Sequence, residues 1–167
     1  MAFTFDSTQT EPLGIYQCPS CDFIVLNETF LIDDGDPFEV FSDGKRVSEN
    51  SEDYPIITRC EKCGEIFWMR DDTVIVEIPW SKDIDEKYYH VKAAKPLNLQ
   101  ELIQCVQRNY FDTEDEEMYL RTRLLWRFND RLRVQLPLYY TKLERDMWYN
   151  NLYRFKEILK FEDYNDR

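Results

Sequence analysis

The sequence is poor in the features on which several large classes of protein depend. It has only 4 glycines and 7 prolines among 167 residues, which excludes collagen-like and other low-complexity chains. No run of about eighteen apolar residues is present, as a membrane-spanning helix would require. The first residues lack the basic and apolar regions of a secretory signal peptide. We therefore expect a soluble, cytoplasmic protein with no membrane partner.

The sequence also lacks the common signatures of catalysis. It contains 1 histidine, His90, which lies in a charged stretch without a second histidine to pair with. A phosphate-binding loop, a dinucleotide-binding glycine pattern and the Gly-x-Ser-x-Gly motif of hydrolases are all missing. These absences favour a protein that is not an enzyme.

Positive charge is scarce relative to negative charge. The chain has 21 basic and 33 acidic side chains, a formal net charge of −12, and residues 1–96 hold 9 of the basic and 20 of the acidic ones. A field of this sign repels phosphate backbones. Binding of nucleic acid is therefore disfavoured.

What the sequence does contain is enough apolar material for a core, arranged in two different periods. Apolar residues make up 43% of the chain and aromatic residues 16%. Residues 1–95 show short apolar or β-branched runs separated by turn residues, which is typical of β-strands. The candidate strands are 23–26, 29–32, 38–41, 56–59, 66–69 and 73–78.

Residues 96–167 show the helical period instead, and we predict three amphipathic helices there. The predicted N-caps are Asn98, Thr113 and Thr141, each followed three residues later by a glutamate. The predicted core positions are Leu99, Leu102, Ile103, Val106 and Tyr110 in the first helix, Leu120, Leu124, Leu125, Phe128 and Leu132 in the second, and Trp148, Leu152, Phe155 and Leu159 in the third. Because the sequence ends soon after the third helix without a glycine or proline, we also expect that this half is a fragment of a longer helical array.

Four of the 5 cysteines form the strongest motif in the sequence. Cys18 and Cys21 make one Cys-x-x-Cys pair, and Cys60 and Cys63 make another. Two such turns can supply four thiolates to one ion, which is the ligand set of a structural Zn²⁺ site. A catalytic zinc normally keeps an open position, and four thiolates leave none. We therefore predict one structural zinc ion bound by these four residues.

Two weaker signals have competing interpretations. The Cys-x-x-Cys pairs also suit a thiol-redox enzyme, although they do not open a helix in a βαβ pattern. The fifth cysteine, Cys105, lies beside the apolar stripe of the first helix and is predicted to be a core residue. Arg123, Arg127 and Arg131 recur on one side of the second helix. One interpretation is a ridge that binds an anion or docks a partner. The other is a solvated face whose arginines pair with acidic side chains.

The segments around the cysteines resemble a known pattern. Residues 18–21, 41–45, 55–64 and 66–68 are similar to uncharacterised bacterial proteins that contain a zinc ribbon with a long insertion, and residues 119–130 are similar to the helices that follow it, sometimes with tetratricopeptide-like repeats. The resemblance implies zinc binding and a scaffolding role between proteins. It implies no reaction.

Together these observations predict an α+β protein. Residues 1–95 form a zinc-ribbon-like antiparallel β domain, and residues 96–167 form a bundle of about three helices. The predicted function is a non-enzymatic module that binds a protein partner, and a nucleic-acid-associated ribbon and a thiol-redox enzyme are the alternatives.

Overall fold

The fold combines short strands with three helices. A computed structural model describes residues 13–27, 38–48, 55–79 and 83–159. The β-strands lie in the N-terminal half, pair antiparallel and precede the helices, which confirms the predicted α+β class. One compact unit draws its described residues from Met1–Val40 and Arg46–Leu97, and a second draws them from Phe41–Lys45 and Asn98–Arg167.

In its described residues, the first unit contains three small sheets. Its strands are β1 (Leu13–Gln17), β2 (Ile24–Asn27), β3 (Phe38–Val40), β4 (Arg46–Ser48), β5 (Ile57–Arg59), β6 (Ile66–Trp68) and β7 (Val74–Ile78). The main sheet has the order β2-β1-β7, whereas β3 pairs with β4 and β5 pairs with β6. Each hairpin is too short to be stable alone, so the unit depends on what joins them.

The strand predictions are partly confirmed. Five predicted strands appear as β2, β3, β5, β6 and β7, each within two residues of its expected ends. The predicted strand 29–32 lies outside the described residues. β1 and β4 were missed: Gly14 and Gln17 interrupt the apolar pattern of β1, and β4 is mostly polar. A Cβ atom at Gly14 would lie 2.3 Å from the ring of Tyr16, so the ring could keep this position only with glycine there.

Two groups of buried side chains form the core of the first unit. Ile15, Leu26 and Ile78 pack together across the main sheet. The second group consists of Val25, Phe67 and Met69 with two of the cysteines, Cys18 and Cys60. The second group therefore surrounds cysteine sulfurs with apolar side chains contributed by two separate sheets.

The second unit contains the three predicted helices. They are α1 (Leu99–Gln107), α2 (Glu114–Arg133) and α3 (Lys142–Ile158). All three predicted caps are confirmed: Asn98 and Glu101 form a capping box, and the hydroxyls of Thr113 and Thr141 accept from the amides of Glu116 and Glu144. Within the described residues, no helix is both long enough and apolar enough to cross a lipid bilayer.

The predicted core positions hold for most of α1 and α2 and fail for α3. Leu120, Leu124 and Phe128 of α2 are fully buried, as expected, but Leu132 is 53% exposed because it lies at the end of the helix. In α3 the buried residues are Glu144, Met147 and Asn151 rather than the predicted stripe. The predicted residues Leu152 and Leu159 are 41% and 49% exposed, and Trp148 and Phe155 are half-buried.

The face of α3 differs from the prediction because its buried polar groups are paired. The Glu144 carboxylate accepts two hydrogen bonds from the Arg131 guanidinium, at 2.8 and 3.0 Å, one from Gln100 at 3.1 Å and one from the amide of Tyr140 at 2.7 Å. Such pairing allows a carboxylate to be buried. Arg131 therefore binds an acid, as the second interpretation of the arginine ridge predicted, and Arg123 stacks on the rings of Tyr119 and Trp126.

The Glu144 contact predicts sensitivity of the helical unit to acid. Hydrogen bonds from Arg131 outweigh burial and lower the pKa of Glu144 to about 2. A carboxylate whose pKa is depressed in the folded state stabilises the fold above its unfolded pKa of about 4.3, and this contribution is lost as the pH falls towards 2. We expect the helical unfolding temperature to fall between pH 4.5 and pH 2. Circular dichroism melts would measure it, and Glu144→Gln should melt lower at neutral pH and change less over this range.

The turn between β3 and β4 belongs to the helical unit. Asp43 accepts hydrogen bonds from Asn129 at 2.6 Å and from Arg133 at 2.7 and 2.8 Å. Lys45 forms an ion pair with Asp130 at 2.7 Å. The turn is thus held on α2 by charged groups, although it lies in the chain between the two Cys-x-x-Cys pairs.

Candidate metal centre

Each Cys-x-x-Cys pair occupies the turn of a β-hairpin. Cys18 and Cys21 lie between β1 and β2, and Cys60 and Cys63 lie between β5 and β6. The two turns share one hydrogen-bond pattern. The amide of the first cysteine donates to the carbonyl five residues later, at 2.7 Å in both turns, and its carbonyl accepts from the amide four residues later, at 3.2 and 2.9 Å.

The residue after each pair adopts a left-handed backbone. Asp22 has a φ of 59° and Gly64 a φ of 80°. Aspartate is among the few residues other than glycine that tolerate this region. The side chain of Asp22 also accepts a hydrogen bond of 2.7 Å from Gln17, which holds it in place. Two different sequences therefore build the same turn.

The two turns bring the four sulfur atoms together. The Sγ atoms of Cys18, Cys21, Cys60 and Cys63 all lie within 4.8 Å of one another. The Cys18–Cys63 and Cys21–Cys60 sulfur distances are 3.6 and 3.5 Å. A tetrahedron with metal–sulfur bonds of about 2.3 Å has edges of about 3.8 Å. The cluster therefore has the composition and size to hold one metal ion.

Backbone amides point at the sulfurs. The amides of Ser20 and Phe23 donate to Cys18 and Cys21, and Cys60 accepts from two amides, those of Lys62 and Cys63. Donors of this kind stabilise the thiolate form, which is the form that binds metal.

Burial disfavours the charged thiolate form. The hydrogen bonds that oppose this effect differ between Cys18 and Cys60. Burial raises the pKa of the Cys18 thiol to about 12. At Cys60 burial acts in the same direction, but hydrogen bonds from the two amides and from the thiols of Cys21 and Cys63 together outweigh it and lower the pKa to about 7. Burial thus opposes the thiolate form and hydrogen bonds favour it, and a bound cation would compensate the remaining negative charge.

The fifth cysteine and the histidine lie outside the sulfur cluster. Cys105 is 3% exposed within α1, in the helical unit, which confirms that it is a core residue. Burial raises the pKa of its thiol to about 11. His90 is exposed and lines a groove of about 480 Å³ with Asp22, Lys62 and other residues of the first unit.

The residues that shape the two turns were not among the predicted site residues. Asp22 and Gly64 each follow the second cysteine of a pair directly, and Phe23 and Glu65 follow them with equivalent carbonyl contacts. The equal offset from each cysteine pair was the available signal. The equivalence of the two positions was not recognised because one holds an aspartate and the other a glycine.

The left-handed residues predict how the turns respond to substitution. Alanine at Gly64 would adopt a strained φ, and its Cβ atom would lie 3.3 Å from the Arg59 guanidinium. We expect Gly64→Ala to cost about 1 kcal/mol, and so to weaken metal binding about fivefold. Competition with a chromophoric chelator would measure this.

Asp22→Gly provides the matched control at the equivalent position of the other turn. It relieves a left-handed aspartate but removes the hydrogen bond from Gln17, so we expect nearly unchanged affinity. Equal losses in the two variants would contradict the interpretation.

Comparison with known proteins gives no relative for this chain. No family model matches the sequence, and no match is found among curated proteins or solved structures.

Proposed function

We propose that this protein binds one structural Zn²⁺ through Cys18, Cys21, Cys60 and Cys63 and acts as a non-enzymatic module for interaction with another protein. The observation on which the zinc assignment rests is the close approach of four sulfurs from two equivalent turns. The turns are separated by residues 22–59, so an ion at this point links the β2-β1-β7 sheet to the β5–β6 hairpin.

The donor set favours zinc over harder ions. Four sulfurs and no oxygen ligand suit Zn²⁺ or iron and do not suit Ca²⁺ or Mg²⁺. Zinc has no redox chemistry and is the usual ion of structural four-cysteine sites. Two of the sulfurs, those of Cys18 and Cys60, are buried in the core of the first unit, which is the position expected of a structural ion.

The interaction role is supported by the helical unit. Several large apolar side chains at its surface are at least 40% exposed: Leu132, Val134, Leu136, Tyr140, Leu143, Tyr149, Leu152, Tyr153 and Leu159. Contiguous exposed apolar patches mark binding surfaces, and these residues, all within positions 132–159, supply apolar area that such a patch would need. The acidic charge of the chain, −12, argues for a protein partner rather than a nucleic acid.

Metal analysis of the purified full chain tests the zinc assignment. We expect one zinc per chain by elemental mass spectrometry. Exchange with Co²⁺ should give the intense sulfur-to-cobalt absorption of tetrahedral four-thiolate coordination. Iron at one per chain, or a metal content near zero after expression with added zinc, would overturn the assignment.

Two further measurements test the alternatives. A gel-shift assay with single-stranded and duplex probes at moderate salt should show no binding, because the charge opposes it. Thiol labelling of the metal-loaded protein should be slow at all four clustered cysteines, since bound thiolates are protected. Rapid labelling would favour a thiol-redox enzyme instead.

A further inference from the structure

The four clustered cysteines differ in their access to solvent. Cys63 is exposed and Cys21 is half-buried, whereas Cys18 and Cys60 are 0% and 1% exposed. Oxidation of a thiolate requires contact with a dissolved oxidant. A peroxide can therefore reach the sulfur of Cys63 far more readily than the sulfurs of the two buried cysteines.

The closest recorded sulfur contact of Cys63 is with a cysteine of the other turn. The Sγ atoms of Cys18 and Cys63 are 3.6 Å apart, and those of Cys21 and Cys60 are 3.5 Å apart. A disulfide bond is about 2.05 Å long, so either pair needs an approach of about 1.5 Å to form one. Both contacts join the β1–β2 turn to the β5–β6 turn. Disulfides along them would link the same two hairpins that the proposed zinc ion links.

We propose that Cys63 is the site at which a peroxide oxidises this centre, and that oxidation exchanges the zinc ion for two disulfides, Cys18–Cys63 and Cys21–Cys60. The inference rests on the zinc site proposed above and adds a redox response to it. The chain releases zinc when a peroxide is present and binds it again once the disulfides are reduced.

The first disulfide forms in two steps. The Cys63 thiolate attacks one oxygen of hydrogen peroxide, the O–O bond breaks, and a sulfenic acid and a hydroxide ion form. The Cys18 thiolate then attacks the sulfur of the sulfenic acid, which forms the S–S bond and expels a second hydroxide. Two protons from the buffer convert the hydroxides to water. Two thiolates have then lost two electrons, and one peroxide has gained them.

Loss of two ligands releases the metal. The remaining thiolates, those of Cys21 and Cys60, supply only half of the four-sulfur ligand set and do not hold Zn²⁺ tightly. The ion leaves as Zn²⁺, and a second peroxide oxidises these two thiolates by the same steps. Cys105 takes no part, because it is 3% exposed and lies outside the cluster.

Trypsin can distinguish the possible disulfides, because Lys62 lies between Cys60 and Cys63. Digestion of the full chain separates the clustered cysteines onto three peptides: Cys18 and Cys21 on 1–45, Cys60 on 60–62 and Cys63 on 63–70. Disulfides between the turns join the long peptide to both short ones. Disulfides within the turns join the two short peptides to each other and leave the long one alone.

Treatment of the zinc-loaded full chain with excess hydrogen peroxide tests the exchange. We expect release of one zinc per chain, measured with a chromophoric chelator. After alkylation of the remaining thiols, digestion without reductant should give the long peptide joined to both short ones, with Cys63 on Cys18 by fragmentation. Dimedone, which traps sulfenic acids, should label the Cys63 peptide. Short peptides joined to each other, or a dimedone adduct on Cys18 or Cys60 instead, would contradict the proposal.

Cys105 is the internal control, because it should be recovered in its alkylated form after the same treatment. Zinc measured before peroxide is added separates this inference from the proposed function. A chain without zinc at that stage would overturn the proposed function. A chain that binds one zinc and keeps it, under conditions that oxidise free cysteine in solution, would overturn the redox inference alone.

Discussion

Replacing Cys63 with serine should unfold most of the first unit, although Cys63 is the only cysteine of the 5 that is exposed. Its side chain contributes little to core packing, so a purely apolar role predicts almost no effect. As a ligand of the proposed zinc ion, it would hold the β5–β6 hairpin to the main sheet. Metal binding contributes on the order of 10 kcal/mol in small domains of this kind, more than short strands can replace.

Two-dimensional amide NMR of the full chain would localise the effect. In Cys63→Ser, signals from residues 13–27 and 55–79 should collapse to unfolded positions and bound zinc should fall well below one per chain. Signals from residues 99–158 should remain dispersed, because the helices have their own caps and core. The turn at 41–45 is a sensitive reporter, since it belongs to the helical unit but lies in the chain between the cysteine pairs.

Cys105→Ala is the matched control, because Cys105 is buried whereas Cys63 is exposed. If burial alone determined the effect of a substitution, Cys105→Ala would disturb the fold more than Cys63→Ser. If metal binding determines it, Cys63→Ser has the larger effect. Cys105→Ala should keep one zinc per chain and folded strands. If Cys63→Ser retained both its zinc and its native spectra, the four-sulfur site would be wrong.

The sequence was sufficient to predict those features that depend on local chemistry. Asn98, Thr113 and Thr141 cap helices because the sequence places a hydroxyl or amide oxygen three residues before a glutamate. The approach of Cys18 to Cys63 was predictable for a different reason, since two Cys-x-x-Cys turns in one chain are a common ligand set of a single metal site.

What the sequence could not show is where polar groups are buried. In α3 the hydrophobic pattern predicts that Leu152 and Leu159 are buried, but the helix buries Glu144 and Asn151 instead. Their partners, Arg131 and Arg121, lie on another helix and are found only when α2 and α3 are packed together.

The buried charges between α2 and α3 lead to a second large predicted effect. Glu117 is 5% exposed and Arg121 is 6% exposed. The Glu117 carboxylate accepts from Arg121 at 2.8 Å and from Arg154 at 2.9 Å through each of its oxygens. Asn151 completes the group, since it donates to the carbonyl of Arg121 at 2.9 Å.

Glu117→Ala should destabilise the helical unit by about 3–5 kcal/mol, because it leaves the Arg121 guanidinium buried without a carboxylate. Urea unfolding followed by far-UV circular dichroism would measure the loss. Glu114→Ala is the matched control in the same first turn of α2, where the side chain is exposed. It should cost less than about 1 kcal/mol, mainly through the helix dipole.

A variant without any of the three charged side chains distinguishes the cost of burying an unpaired charge from the loss of an attractive contact. With Glu117→Leu, Arg121→Met and Arg154→Leu combined, no charge of this group remains, and such replacements are often neutral or stabilising. We therefore expect the triple variant to be more stable than Glu117→Ala, despite carrying more substitutions. If it were the less stable of the two, the attraction within the group, rather than the penalty of an unpaired arginine, would be what Glu117 contributes to the fold.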